Sequence, residues 1–73
     1  MKNVNTKENR RELMDHYRKR RSRILTIDCF RSKKPAEVKI IYTNGDVETI
    51  KGPKWAITRF YGDFRREILN IRV

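Results

Sequence analysis

Five cations fall within six residues at positions 18–23: Arg18, Lys19, Arg20, Arg21 and Arg23, interrupted only by Ser22. Guanidinium and ammonium groups at this density have two uses. They neutralise successive phosphates of a nucleic acid, or they pair with carboxylates on an acidic protein, since the planar fork of Arg fits either anion. Arg10 and Arg11 extend the basic surface two turns back along the same segment, and Arg31, Lys33 and Lys34 follow the first predicted strand. If the chain folds so that these ten side chains share a side, they form a site for DNA, RNA or an acidic protein surface. The competing reading is a solvated helix whose charge serves solubility alone. Charges packed this closely repel one another, which favours a counter-surface.

The remaining reactive residues do not assemble into a catalytic set. His16 follows Asp15, but adjacent residues on a helix do not face each other, so they form no acid–base pair. Asp46, Glu48 and Glu37 supply carboxylates without a His or a third acid placed to complete a metal site. Gly45, Gly52 and Gly62 are isolated and form no phosphate-cradling loop. Ser22 and Ser32 lie in basic sequence, where phosphorylation would cancel part of the field. Cys29 is the single cysteine, which excludes an internal disulfide, and its apolar setting reads as a buried, inert thiol. The sequence therefore points away from an enzyme, with no cofactor, no metal and no small-molecule substrate evident.

Charge distribution sharpens this. The 73 residues carry 19 Lys and Arg against 9 Asp and Glu, a net charge of +10. Residues 1–36 contribute +8 of it and residues 37–73 only +2. A field concentrated in one half of the chain is the footprint of a polyanion binder. The length fits one small domain over 1–73 whose core must use every large apolar side chain it has. No apolar run approaches the ~20 residues of a membrane span, and the expected compartment is the cytoplasm.

These side chains must be positioned by a few short elements. Residues 1–5 read as a flexible tail, with Asn5 or Thr6 capping a helix over 6–23. Its apolar positions are sparse (Leu13, Met14, Tyr17), which predicts a solvated helix that matters to binding more than to folding. Residues 25–30 alternate and predict a strand; 31–36 form a basic turn closed by Pro35. The runs 37–43 and 46–51 flank Asn44-Gly45, a pair suited to a type I′ hairpin turn, which would place Tyr42 opposite Val47 and Ile40 opposite Thr49. Pro53 opens a second helix to Leu69, on which Trp55, Ile57, Phe60, Tyr61, Phe64, Ile68 and Leu69 fall at helical spacing. That spacing favours core packing over a base-stacking platform. Residues 70–73 resume alternation, as a short strand or a frayed end.

The expected fold is α+β: a small antiparallel sheet of two to three strands around the Asn-Gly hairpin, flanked by the N-terminal basic helix and the C-terminal aromatic helix. Its core is expected to contain Ile27, Val38, Ile40, Val47, Trp55, Phe60, Phe64 and Ile68. The expected function is a non-enzymatic nucleic-acid-binding module of low sequence specificity that contacts phosphates. The alternative is a small regulator or inhibitor docking its basic face on an acidic host protein. In style, though not in any motif, the chain resembles phage- or plasmid-encoded accessory proteins.

Overall fold

The structure, a computed structural model, describes residues 3–70. Helix α1 (Lys7–Arg18) leads through a short 3₁₀ turn (Arg21–Arg23) into strands β1 (Ile24–Phe30), β2 (Ala36–Tyr42) and β3 (Val47–Gly52), followed by helix α2 (Lys54–Glu67). The strands form one antiparallel sheet in the order β1-β2-β3. The α+β expectation with flanking helices is met; the part of the C-terminal alternation beyond Asn70 lies outside the described residues.

Both helices pack on one face of the sheet. The apolar stripe of α2 buries Ala56, Ile57, Phe60 and Phe64 against Ile27, Val38, Ile40 and Ile50 of the strands. Helix α1 adds Met14 and Tyr17, both buried, and the Tyr17 ring meets Phe60 and Phe64 edge-on at centroid distances of 6.3 and 5.6 Å. Two such side chains, fully withdrawn from water, make α1 a part of the core and not the dispensable binding helix its sparse apolar positions suggested. The helices run side by side in the same direction: Arg10 meets Trp55 near their starts, and Arg18 meets Glu67 at their ends.

Several expectations are corrected. The cap is not among them: of the two residues expected, Thr6 caps α1, its Oγ1 accepting from the Asn9 N–H at 3.1 Å. Val4, in the stretch read as a tail, is fully buried, and Gly52 leaves room for it: a Cβ there would lie 2.9 Å from the Val4 Cγ2. The helix stops at Arg18 and not at Arg23. Ile24 already belongs to β1 and must enter the core extended, while cations spaced three and four apart give the helix no reason to continue.

Trp55 and Val47 are 53% and 54% exposed, not core residues. Trp55 occupies the first turn of α2 on its outward side, and Val47 points from the sheet face that no helix covers. The hairpin register also differs by one residue, pairing Ile41 with Val47 and Ile40 with Glu48. Only Gly45 takes positive φ in this loop, at 94°, so the connection is a three-residue turn and not the two-residue type I′. The Tyr42 carbonyl accepts from Gly45 and the Tyr42 N–H donates to Asp46. Asn44 stabilises the loop instead through its Oδ1, which accepts from the Asp46 N–H at 3.0 Å.

A second irregularity lies in β1, where Ile24 pairs with Tyr42 and Thr26 with Ile41. Leu25 is the extra residue of a bulge. The bulge lets Ile24 and Ile27 both point inward and leaves Leu25 62% exposed beside the basic turn.

Candidate polyanion-binding surface

The basic run surrounds the corner where α1 ends and the sheet begins. Main-chain hydrogen bonds fix that corner: Arg20 N–H to the Tyr17 carbonyl and Arg23 N–H to the Arg20 carbonyl, each 2.9 Å, and Thr43 N–H to the Arg23 carbonyl at 2.8 Å. The last of these ties the basic turn to the β2–β3 loop. The cations therefore sit on a held backbone, with the carbonyl end of α1 favouring positive charge beside it.

Individual side chains differ in how free they are. Arg18 is engaged, 2.7 Å from Asp15 and 3.2 Å from Glu67. Arg20 reaches back to His16, with Nη1 3.1 Å from the ring Nδ1 and 3.3 Å from the carbonyl oxygen, but meets no carboxylate. Lys19, Arg21 and Arg23 are exposed and form no ion pair among the described residues. Arg20 and Arg23 line a shallow depression whose other wall carries Asp46 and Glu48.

Arg10 and Arg11 line a groove of about 440 Å³ between the two helices, together with Lys7, Arg18 and Arg59 and the acids Asp15, Asp63 and Glu67. Arg10 is partly withdrawn. Its Nη1 donates to the Val4 carbonyl at 2.8 Å and its guanidinium lies 5.4 Å from the Trp55 ring. It clamps the N-terminal residues onto α2.

Arg31, Lys33 and Lys34 do not join this surface. They lie in the β1–β2 turn, beyond the seven residues of β1, about 20 Å from the basic corner at ~3.3 Å per residue. The molecule thus has two basic regions at opposite ends of its sheet. Sequence reasoning also missed Arg65 and Arg66, the basic last turn of α2. The Arg18–Glu67 contact brings that turn to the same end as the run 18–23. Parallel packing of the helices causes this, and no local pattern signals it.

The other reactive groups are held in structural settings. Glu48 accepts from the Tyr17 hydroxyl and, at 3.4 Å, from that of Tyr42. Burial and then the Glu48 carboxylate push the Tyr17 phenol well above its ordinary range; the same two causes raise Tyr42. Glu37, the one buried charged residue among those described, is 2.7 Å from the Lys33 ammonium, which holds its carboxyl below the usual carboxylate range against the opposing effect of burial. Cys29 is half-buried against the core, and desolvation raises its thiol pKa. His16 is exposed, its ring edge-on to Tyr17 at 5.0 Å. Among the described residues no cluster of three His, Cys, Asp or Glu side chains is placed to hold a metal, and no helix is long and apolar enough to cross a membrane.

No family model matches the chain, and neither the curated proteins nor the solved structures give a significant match.

Proposed function

We propose that this protein is a non-enzymatic nucleic-acid-binding module of the cytoplasm that docks on phosphates through its basic corner. The observation that carries this reading is the held turn presenting Lys19, Arg20, Arg21 and Arg23 with no carboxylate at ion-pair distance among the described residues. Exposed, uncompensated cations on a fixed backbone gain most from a polyanion, because binding releases its condensed counterions. Arg18, already shared between two carboxylates, contributes less. Four phosphates at roughly 0.9 each give a log–log salt slope of about −3.6 on duplex DNA, shallower than the −4.5 expected if all five cations of the run acted. Fluorescence anisotropy of a labelled duplex, titrated at several salt concentrations, measures it. Replacing Lys19, Arg21 and Arg23 together by Ala is expected to weaken binding tenfold or more at low salt, roughly 1.4 kcal/mol. Affinity that is millimolar at low salt, or indifferent to salt, removes the proposal.

One observation favours the second reading, a regulator docking on an acidic protein. Leu25 is exposed two residues from Arg23, where an apolar contact would accompany the charges. Leucine is a weak anchor compared with an aromatic residue, and Met14 and Tyr17 are buried and unable to serve. Pull-down from lysate with and without nuclease separates the two: partners that survive nuclease and depend on Leu25 belong to this second reading.

A further inference from the structure

The sheet has a second face that neither helix covers, although α1 borders its β3 edge, where Leu13 and His16 share a groove with Val47 and Thr49. Alternation from the buried residues Ala36, Val38 and Ile40 puts Glu37, Lys39 and Ile41 of β2 outward. The pairing then gives three outward rows: Phe30 with Glu37 and Lys51, Asp28 with Lys39 and Thr49, Thr26 with Ile41 and Val47. Phe30 is the one aromatic residue in these rows. It is partly exposed and does not pack against the core, whereas Cys29 and Tyr42 on the other face do.

Cations collect around that ring. The Lys33 and Lys39 ammonium groups stand 5.3 and 5.4 Å from its centroid. Lys51 lies in the same row, and Arg31 and Lys34 project from the adjoining turn. Lys33 also compensates Glu37 at 2.7 Å, so the nearest acid is already neutralised. A partly exposed strand aromatic with flexible lysines over its ring can bind unpaired nucleotides: a base displaces the ammonium groups from the π-face, and they move to the flanking phosphates.

We propose that this open face is a second nucleic-acid site, specific for single strands, with a base stacked on Phe30 and its neighbouring phosphates on Lys39, Lys51 and Lys34 of the β1–β2 turn. A duplex cannot use the site, because its bases are stacked on one another and their faces are closed to a side chain. At the basic corner the partly exposed ring is Tyr42, which lines the depression with Arg20 and Arg23 but packs on the core with its hydroxyl toward Glu48, so that region accepts either form. This inference rests on the nucleic-acid reading above and adds to it a division of labour between the two ends of the sheet.

The test compares a fluorescein-labelled oligothymidylate with a labelled duplex of equal length, at low salt, on the wild-type chain and on variants. Phe30→Ala is expected to weaken oligothymidylate binding about tenfold, roughly 1.4 kcal/mol, and to leave duplex binding within twofold. Phe30→Tyr keeps the stacking surface and is expected to bind as wild type. Should Phe30→Ala melt early, Phe30→Leu replaces it, keeping apolar bulk without a π-face, with the same loss expected. Oligothymidylate binding unchanged in Phe30→Ala or Phe30→Leu overturns this site while leaving the basic corner standing. Displacement of the oligonucleotide by polyglutamate at equal charge concentration also overturns it, since charge alone would then account for binding. A wild-type chain that binds neither probe removes both proposals together.

Discussion

The two faces of the three-stranded sheet carry aromatic residues with opposite surroundings. On the covered face Tyr17, Phe60 and Phe64 interlock, each no more than 2% exposed, with centroids 5.6–6.3 Å apart. On the open face Phe30 stands with lysines on it and no apolar layer above. The difference follows from connectivity. α1 precedes the sheet and α2 follows it, and both return to the same side, so among the described residues no helix covers the other. The aromatic rings on the covered face are part of the core, whereas Phe30 on the other face is partly exposed.

The largest expected effect tests that contrast directly. Phe64→Ala should cost roughly 3–5 kcal/mol, the range for truncating a buried aromatic residue, and in a domain of this size that removes most of the stability. Phe30→Ala should cost less, roughly 1–2 kcal/mol, since the ring is only partly buried and meets the Lys33 and Lys39 side chains and not the core cluster. Urea melts of the two variants measure both. Equal losses would mean that Phe30 is a structural residue and that the open face is not a free surface.

How much of this was legible in the sequence depends on whether the signal is local. Strand alternation and the turn residues 44–45 mark the hairpin, and helical spacing of Phe60, Phe64 and Ile68 marks α2. The hairpin register was not legible, because it depends on Gly45 alone taking positive φ while Thr43 joins the loop. The bulge at Leu25 left no local mark either; it is fixed by the need to bury both Ile24 and Ile27. Trp55 is nine residues from Phe64, which at about 100° per residue puts it on the opposite side of α2, away from the sheet, with the Arg10 guanidinium 5.4 Å from its ring. For the candidate site, the density of cations at 18–23 is readable. The separation of Arg31, Lys33 and Lys34 from it, and the approach of Arg65 and Arg66, are consequences of tertiary arrangement.

Tyr17 provides an intermediate effect at the border of the covered face. Tyr17→Phe keeps the ring among Phe60 and Phe64 and removes only the hydroxyl that donates to Glu48. A hydrogen bond to a charged acceptor contributes about 1.5–3 kcal/mol, and exposure of Glu48 brings the expected loss down to about 1 kcal/mol. Burial of the Tyr17 phenol, and after it the same contact, sets a pH dependence. The folded state raises the Tyr17 pKa, so above pH ~10, the unfolded value, the unfolded chain releases a proton that the native chain retains. Stability should therefore fall as pH rises through that region. Urea melts at neutral and alkaline pH should show a smaller fall for Tyr17→Phe than for wild type. An identical fall in both would place the alkaline titration elsewhere and reduce the Tyr17–Glu48 contact to a geometric coincidence.

The smallest effect on stability is expected at the basic corner, and its sign is informative. Lys19, Arg21 and Arg23 touch no carboxylate among the described residues, and the turn that carries them is held by main-chain bonds that side-chain truncation leaves in place. Exposed substitutions of this kind change stability by less than about 0.5 kcal/mol each. Here the change should be slightly favourable, because three like charges are removed from a chain of net charge +10 and its self-repulsion falls. Thermal melts of the triple Ala variant should thus show a Tm equal to or a little above that of wild type at low salt. Raising the salt beyond ~0.15 M shortens the screening length to under about 8 Å and should close the gap. A clear loss of stability at any salt would mean that these cations support the fold, and the contrast between a folding face and exposed binding surfaces would fail at the place where the sequence first suggested it.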